Sequence, residues 1–273
     1  MAKPHASHRL PAACGGETMV FLDADTVLEP DALARLGGLL ECTRADLASV
    51  APRQRVGSSL ERLLIPLLQL TYLAWLPLPL VWRTRDPRLV VANGQLLAVQ
   101  RVAYRRAGGW EAVRGEVVDD LAFARRVKGS GGRVVFADGG QVASCRMYRS
   151  GAEVWGGFCK NLHEATGGTA GTLGFVLLHA GIFLAPYSAL LGWALGVFPD
   201  LLGPPAIIGV VANLTLRAAL ALRLRQPAEG VLLHPLAVTI AIVLALESLR
   251  WSRRGRIHWR GRSYPARSAR LAA

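Results

Sequence analysis

Three apolar stretches succeed one another in the C-terminal half, at about residues 172–198, 203–222 and 230–250, and they limit the fold more than any other feature. Each is close to the ~20 residues an α-helix needs to cross the hydrocarbon core of a bilayer. A composition that is 52% hydrophobic and only 19% charged agrees, being too apolar for an ordinary soluble domain. The chain therefore reads as a multi-pass membrane protein whose globular part precedes the helices. Arg217 interrupts the second stretch and makes it the least regular of the three. Three crossings after a cytoplasmic domain would also leave the C-terminus on the far side, and the C-terminus is strongly basic.

After Glu247 come eight arginines, Arg250, Arg253, Arg254, Arg256, Arg260, Arg262, Arg267 and Arg270, with no acid among them. They supply most of the net charge of +13. Trp251, Trp259 and Tyr264 interleave with them, as an RNA-binding segment can. Directly after an apolar stretch, however, an arginine cluster is the ordinary juxtamembrane arrangement, so the bilayer and not nucleic acid is the expected partner. Such a cluster belongs on the cytoplasmic side. Either one stretch is re-entrant or interfacial, or the number of crossings is not three. The first fifteen residues lack the apolar core of a secretory signal. The expected location is the cell (inner) membrane, with a cytoplasmic globular part.

Cys14, Cys42, Cys145 and Cys159 have neither CxxC spacing nor the density of a disulfide framework, and read as free thiols. His5 and His8 have a spacing that could hold a metal, but near a terminus they read as solvated.

Residues 1–58 read as loop, strand (19–22), acidic turn, helix (about 30–41) and a strand near Ala48–Pro52, a β-α-β rhythm. Residues 60–82 are apolar but broken by Pro66, Pro77 and Pro79, which suits an interfacial helix better than a clean span. Residues 89–148 return to α/β character: "RLVVANGQLLAVQR" predicts a strand and turn, "RVAYRRAGG" a helix ended by glycine, "DDLAFARRVK" a short amphipathic helix and "RVVFADG" a strand. The expected organisation is a globular domain over 1–165, helices over 172–250 and a basic tail over 251–273.

Two acidic pairs could carry chemistry. Asp23 and Asp25 close the apolar run Met19-Val20-Phe21-Leu22; on a strand-like backbone both would face one side and offer hard oxygen ligands to Mg²⁺ or Mn²⁺. Short acidic turns are common, so the pair alone is weak. Asp119 and Asp120 open a helix, where carboxylates also serve as ordinary N-caps. Adjacent like charges can equally produce a general base. In "RMYRSGAEVWGGFCKN", the cations Arg146, Arg149 and Lys160 could meet a departing diphosphate, whereas Trp155 by itself reads as an interfacial anchor. "HWRGRSY" likewise reads as a tail anchor.

In this order the motifs "VFLDADTVLEPDAL", "NGQLLAVQRVAYRRAGGW", "VVDDLAFARRV", "RMYRSGAEVWGGFCKN" and "WRGRSY" resemble a membrane-associated family 2 glycosyltransferase. The last two resemble the carotenoid- and hopanoid-associated subgroup, and the acidic pair resembles that of ceramide glucosyltransferase. The resemblance implies an α/β fold, a partial GT-A (Rossmann-like) domain followed by transmembrane helices. It makes Asp23 and Asp25 a DxD motif that holds a divalent cation on the diphosphate of a UDP-linked nucleotide-sugar. It makes Asp120 the base for a lipid acceptor in an inverting displacement, with Asp119 beside it, and Asn93, Gly94 and Gln95 the acceptor end. Trp155, Lys160 and Asn161 stand where relatives carry a Q-x-x-R-W-type motif, which this chain lacks. The "PARNE"-like strand and two further β-α units that bind uracil and ribose in the family have no counterpart here, roughly a third of such a domain.

Two rivals remain. "FLDADTV" also fits the D-x-D-x-[TV] pattern of haloacid-dehalogenase phosphatases, with Asp23 as nucleophile and Asp25 as acid/base, but "VVDDLAFARRVK" fits their downstream acidic motif poorly and the apolar half goes unexplained. The other rival is an inactive membrane-bound remnant that lacks the base-binding half.

Overall fold

Alternation in Thr18-Met19-Val20-Phe21-Leu22 turns Met19 and Phe21 inward and leaves Val20 and Leu22 exposed on a strand, β1 (Thr18–Leu22). The computed structural model to which it belongs describes residues 15–75, 77–116, 118–255, 257–259 and 262–264. The chain divides into two units, Met1–Arg55 with Thr71–Met147, and Val56–Leu70 with Tyr148–Ala273. His5, His8, Cys14, Arg256, Arg260, Arg267 and Arg270 lie outside the described residues.

In the first unit β1 is followed by β2 (Thr26–Leu28), α1 (Ala32–Thr43) and β3 (Leu47–Gln54). Helix α2 (Ser59–Trp75), which contains Pro66, and α3 (Leu78–Arg83) replace the 60–82 stretch. Then come β4 (Leu96–Gln100), α4 (Arg101–Arg106), α5 (Asp119–Gly129) and β5 (Val134–Cys145). The five strands form one sheet in the order β1-β4-β3-β5-β2. The fold is thus mixed α/β, but the β-α-β rhythm does not make neighbours of β1 and β3. Strand β4 lies between them, antiparallel to both, and only β3 and β5 pair in parallel. Alternation identifies a strand; its partner is chosen by which faces bury together.

One face of the sheet packs Met19, Phe21, Leu47, Leu97, Val99 and Val134 against Tyr104, Trp110, Phe123 and Val127. The other packs Ala48, Val50, Leu96, Ala98 and Val135 against Leu36 and Leu40 of α1. Helix α5 has Asp119 and Asp120 in its first turn and Arg126 and Lys128 in its last, a charge order that suits its dipole. Lys128 is buried, and its ammonium donates to the carbonyls of Val81 and Leu89. Burial holds its pKa below the usual lysine value.

The second unit contains the first part of α2, then α6 (Gly151–Ala165), α7 (Thr169–Ala194), α8 (Gly203–Leu224), α9 (Glu229–Leu232) and α10 (His234–Arg253). Ser150 caps α6 by accepting the Glu153 N–H at 3.2 Å. Three helices, Thr169–Ala194, Asp200–Leu224 and His234–Arg253, are long and apolar enough to cross a membrane. Asn213 donates to the carbonyl of Ile182 at 2.9 Å, Gly209 faces Pro186 and Gly203 faces Trp193, so α8 runs antiparallel to α7. Helix α10 does so as well: the His234 ring meets Phe183 at 5.1 Å, and Ser248 accepts the N–H of His163, whose ring touches Thr172.

Helices α8 and α10 consequently point the same way. The connector over 225–233 brings the chain back along α8, placing Gly230 against the Arg217 guanidinium. Arg250, Arg253 and Arg254 accordingly stand at the end of the bundle where α7 begins.

Candidate functional site: two acidic pairs at one end of the sheet

Pairing of β1 with β4 runs to Leu22↔Leu96, and one residue further the Asp23 N–H donates to the Gln95 carbonyl at 3.1 Å. The chain then turns, with the Thr26 N–H closing on the Asp23 carbonyl at 3.0 Å. Asp23 and Asp25 therefore sit on a β-turn and not on the extended backbone expected from their spacing. Asp23 is half-buried and Asp25 exposed.

Register places β5 beside this turn, because Cys145 pairs with Thr26 on one side and Gln54 on the other. The Cys145 Sγ lies 3.5 Å from Asp25 Oδ1 and accepts from Gln95 Nε2 at 3.2 Å, while Gln54 Nε2 donates to Gln95 Oε1 at 2.8 Å. Burial, reinforced by the charges of Asp25 and Asp23, pushes the Cys145 thiol up to about 12. This favours the neutral thiol at neutral pH.

The second pair occupies the first two positions of α5, but neither residue is its N-cap, which is Val118. Asp119 Oδ1 accepts the Asp120 N–H at 2.9 Å, and Asp120 Oδ1 accepts that of Leu121 at 2.8 Å. Asp120 Oδ2 accepts the N–H of Gly94 at 2.6 Å. The loop that offers Gly94 is itself fixed. Ser49 Oγ accepts from Asn93 N at 2.7 Å, and Asn93 Oδ1 accepts from Gln95 N at 2.9 Å. Asn93, Gly94 and Gln95 thus join the two acidic pairs in one hydrogen-bonded cluster, Gly94 holding Asp120 and Gln95 reaching Cys145 beside Asp25.

An aromatic core supports this cluster. Phe21, two residues before Asp23, meets Trp110 edge-on at 5.5 Å, and Trp110 stacks at 4.6 Å on Phe123, three residues after Asp120. Gly109 enters this core at φ 61°, and a Cβ there would stand 2.8 Å from the Tyr104 ring. Tyr72 is close enough to Asp120 for its charge to add to burial in raising the tyrosine pKa.

Trp155, Lys160 and Asn161 lie on α6 of the second unit. Trp155 is exposed, and Asn161 Oδ1 is buried without a hydrogen-bond partner. The sequence marks Cys145 only as a free thiol and gives no sign of Gln54, Ser49 or Tyr72; strand register brings Ser49, Gln54 and Cys145 to the cluster, and helix α2 brings Tyr72 near Asp120.

Among the described residues no three His, Cys, Asp or Glu side chains gather to enclose a metal. Asp23 and Asp25 carry carboxylate oxygens, a hard donor type that suits Mg²⁺ or Mn²⁺, ions that complete their shells with water and phosphate. No known protein family's profile matches the sequence, and no curated protein matches it.

Proposed function

We propose that the protein is an inverting glycosyltransferase of the family 2 kind, moving a sugar from a UDP-linked nucleotide-sugar to a lipid acceptor at the membrane face. The observation that carries this reading is the bond from Gly94 to Asp120, through which the 93–95 loop ties a candidate base to the Asp23–Asp25 turn. The proposal includes a partial GT-A architecture for the first unit, with a carotenoid or hopanoid as the acceptor. The three apolar helices support membrane association. Delivery of the arginine cluster to the end where α7 begins is compatible with a cytoplasmic surface there.

In this reading Asp23 and Asp25 would hold Mg²⁺ or Mn²⁺, which when bound supplies charge neutralisation for a leaving diphosphate. Asp120 accepts the proton of the acceptor hydroxyl as its oxygen attacks the anomeric carbon and the bond to the diphosphate breaks. Its two oxygens carry one backbone N–H each, which leaves lone pairs for the acceptor and fixes the carboxylate's orientation. Asp119 keeps the start of α5 closed by holding the Asp120 N–H. Asn93 and Gln95 maintain the loop that aims Gly94.

Lys128 donates to the carbonyls of Val81 and Leu89, and the phosphatase alternative gives the three apolar helices no part. The test is UDP release by the full-length chain in membranes or nanodiscs, with UDP-sugars, Mn²⁺ or Mg²⁺ and a lipid extract. Metal-dependent release that requires Asp25 and Asp120 supports the proposal. Hydrolysis of p-nitrophenyl phosphate without UDP release would favour the phosphatase, and neither activity would favour the inactive remnant.

A further inference from the structure

Arg217 is completely buried within the second unit, on the helix of the Asp200–Leu224 segment. Its Nη1 donates to Gln226 Oε1 at 3.2 Å, and Gln226 in turn donates to Gln69 Oε1 at 2.5 Å. Its Nε and Nη2 are buried without any hydrogen-bond partner. Among the described residues no carboxylate forms an ion pair with it; Glu229, the acid of the adjoining connector, is paired with Arg62.

The unpaired atoms are informative. Nε and Nη2 form the side-on edge of the guanidinium, two parallel N–H donors that match the two oxygens of a carboxylate or phosphate. His234, also completely buried, has both ring nitrogens without partners and lies within electrostatic reach of Arg217 and His179. Gly230 comes close to Nη2, where even a Cβ would stand at 3.3 Å, so the connector leaves this side of the guanidinium without a side chain. An uncompensated charge among membrane-spanning helices is costly, and such residues mark ligand sites or pathways.

We propose that Arg217, assisted by His234, anchors the oxyanion head group, carboxylate or phosphate, of an amphiphile whose apolar chain lies among the helices. A lipid-borne anion suits the place better than a free one, because Phe183 meets the His234 ring edge-on at 5.1 Å and Phe175 stacks on nearby His179 at 3.7 Å, which puts apolar surface beside the site. The connector over 225–233 covers the guanidinium and is held to α2 by the Arg62–Glu229 and Gln69–Gln226 contacts, so its movement admits the head group. The site is independent of the transfer chemistry proposed for the first unit.

The test uses the full chain in dodecyl maltoside, with thermal unfolding measured against laurate, dodecyl phosphate, dodecanol, acetate and inorganic phosphate. Laurate or dodecyl phosphate should raise the midpoint by mass action, and dodecanol should not. Arg217→Lys keeps the charge but loses the side-on edge, and should weaken half-saturation by roughly tenfold. Gln226→Glu places a carboxylate at Nη1, partly neutralising Arg217 while leaving the Nε/Nη2 edge open and giving up the Gln226 bond to Gln69; it should weaken half-saturation clearly without removing it. This second variant keeps the test decisive if substitutions of Arg217 fold poorly. An equal response in wild type and Gln226→Glu, or no response beyond that to dodecanol, would overturn the proposal. A full response to acetate or inorganic phosphate would overturn its lipid-borne part.

Discussion

Replacing Asp120 with asparagine exchanges one carboxylate oxygen for an NH₂ group without changing the side chain's shape. In the structure Oδ2 accepts from Gly94 at 2.6 Å and Oδ1 from Leu121 at 2.8 Å. Asparagine has one acceptor atom, so in either orientation one backbone N–H faces another donor. Leaving a buried donor unpaired costs about 1–3 kcal/mol. Leu121 is in the first helical turn of a half-buried segment and can turn its N–H toward water, so the lower end, ~1 kcal/mol, is expected for stability. Loss of a general base lowers the rate by about 10²–10⁴-fold, or roughly 3–5 kcal/mol in the barrier. The two effects are separable. Initial rates of UDP release, set beside thermal unfolding of the same preparation, should show a fall of at least ~100-fold with a nearly unchanged midpoint. A variant within about tenfold of wild type, or one whose lost rate follows its unfolded fraction, would refute the role given to Asp120.

Further outcomes are expected. Asp25→Ala should abolish UDP release together with its dependence on Mn²⁺ or Mg²⁺, and metal-dependent turnover that persists would remove Asp25 from the site. Gly109→Ala forces a side chain to φ 61° and into the Tyr104 ring, a backbone strain of about 1–3 kcal/mol before repacking, read as a lowered unfolding midpoint. Cys145 and Cys159, buried and pushed up to about 12, should carry on the order of 10⁻⁴ thiolate at pH 8 and resist maleimide until the protein is unfolded. Exposed Cys42 should react in the native state, and peptide mass spectrometry distinguishes the three.

The main elements are legible in the sequence for reasons that are local. Alternation across Thr18–Leu22, the glycines after Tyr104 and the acid-to-base order of "DDLAFARRVK" each report a backbone conformation through nearest-neighbour chemistry. The three apolar helices are equally legible, since twenty apolar residues in succession have few other uses. The acidic residues Asp23, Asp25, Asp119 and Asp120 stand out for the same reason, being carboxylates at the ends of apolar runs.

What joins them is decided by tertiary structure. The Asp23–Gln95 pairing, the place of Cys145 between Thr26 and Gln54, and the hold of Gly94 on Asp120 depend on strand order and register. Those are set by how two sheet faces bury Phe21, Trp110 and Phe123 on one side and Leu36 and Leu40 on the other. The same holds for the apolar half. Hydropathy marks three helices, but it says nothing of their direction, and the connector that makes α8 and α10 run the same way exists only because Gly230, Gln226 and Glu229 pack back onto Arg217, Gln69 and Arg62. Short-range patterns record which side of an element is buried. Which surface covers it is a property of the packed whole.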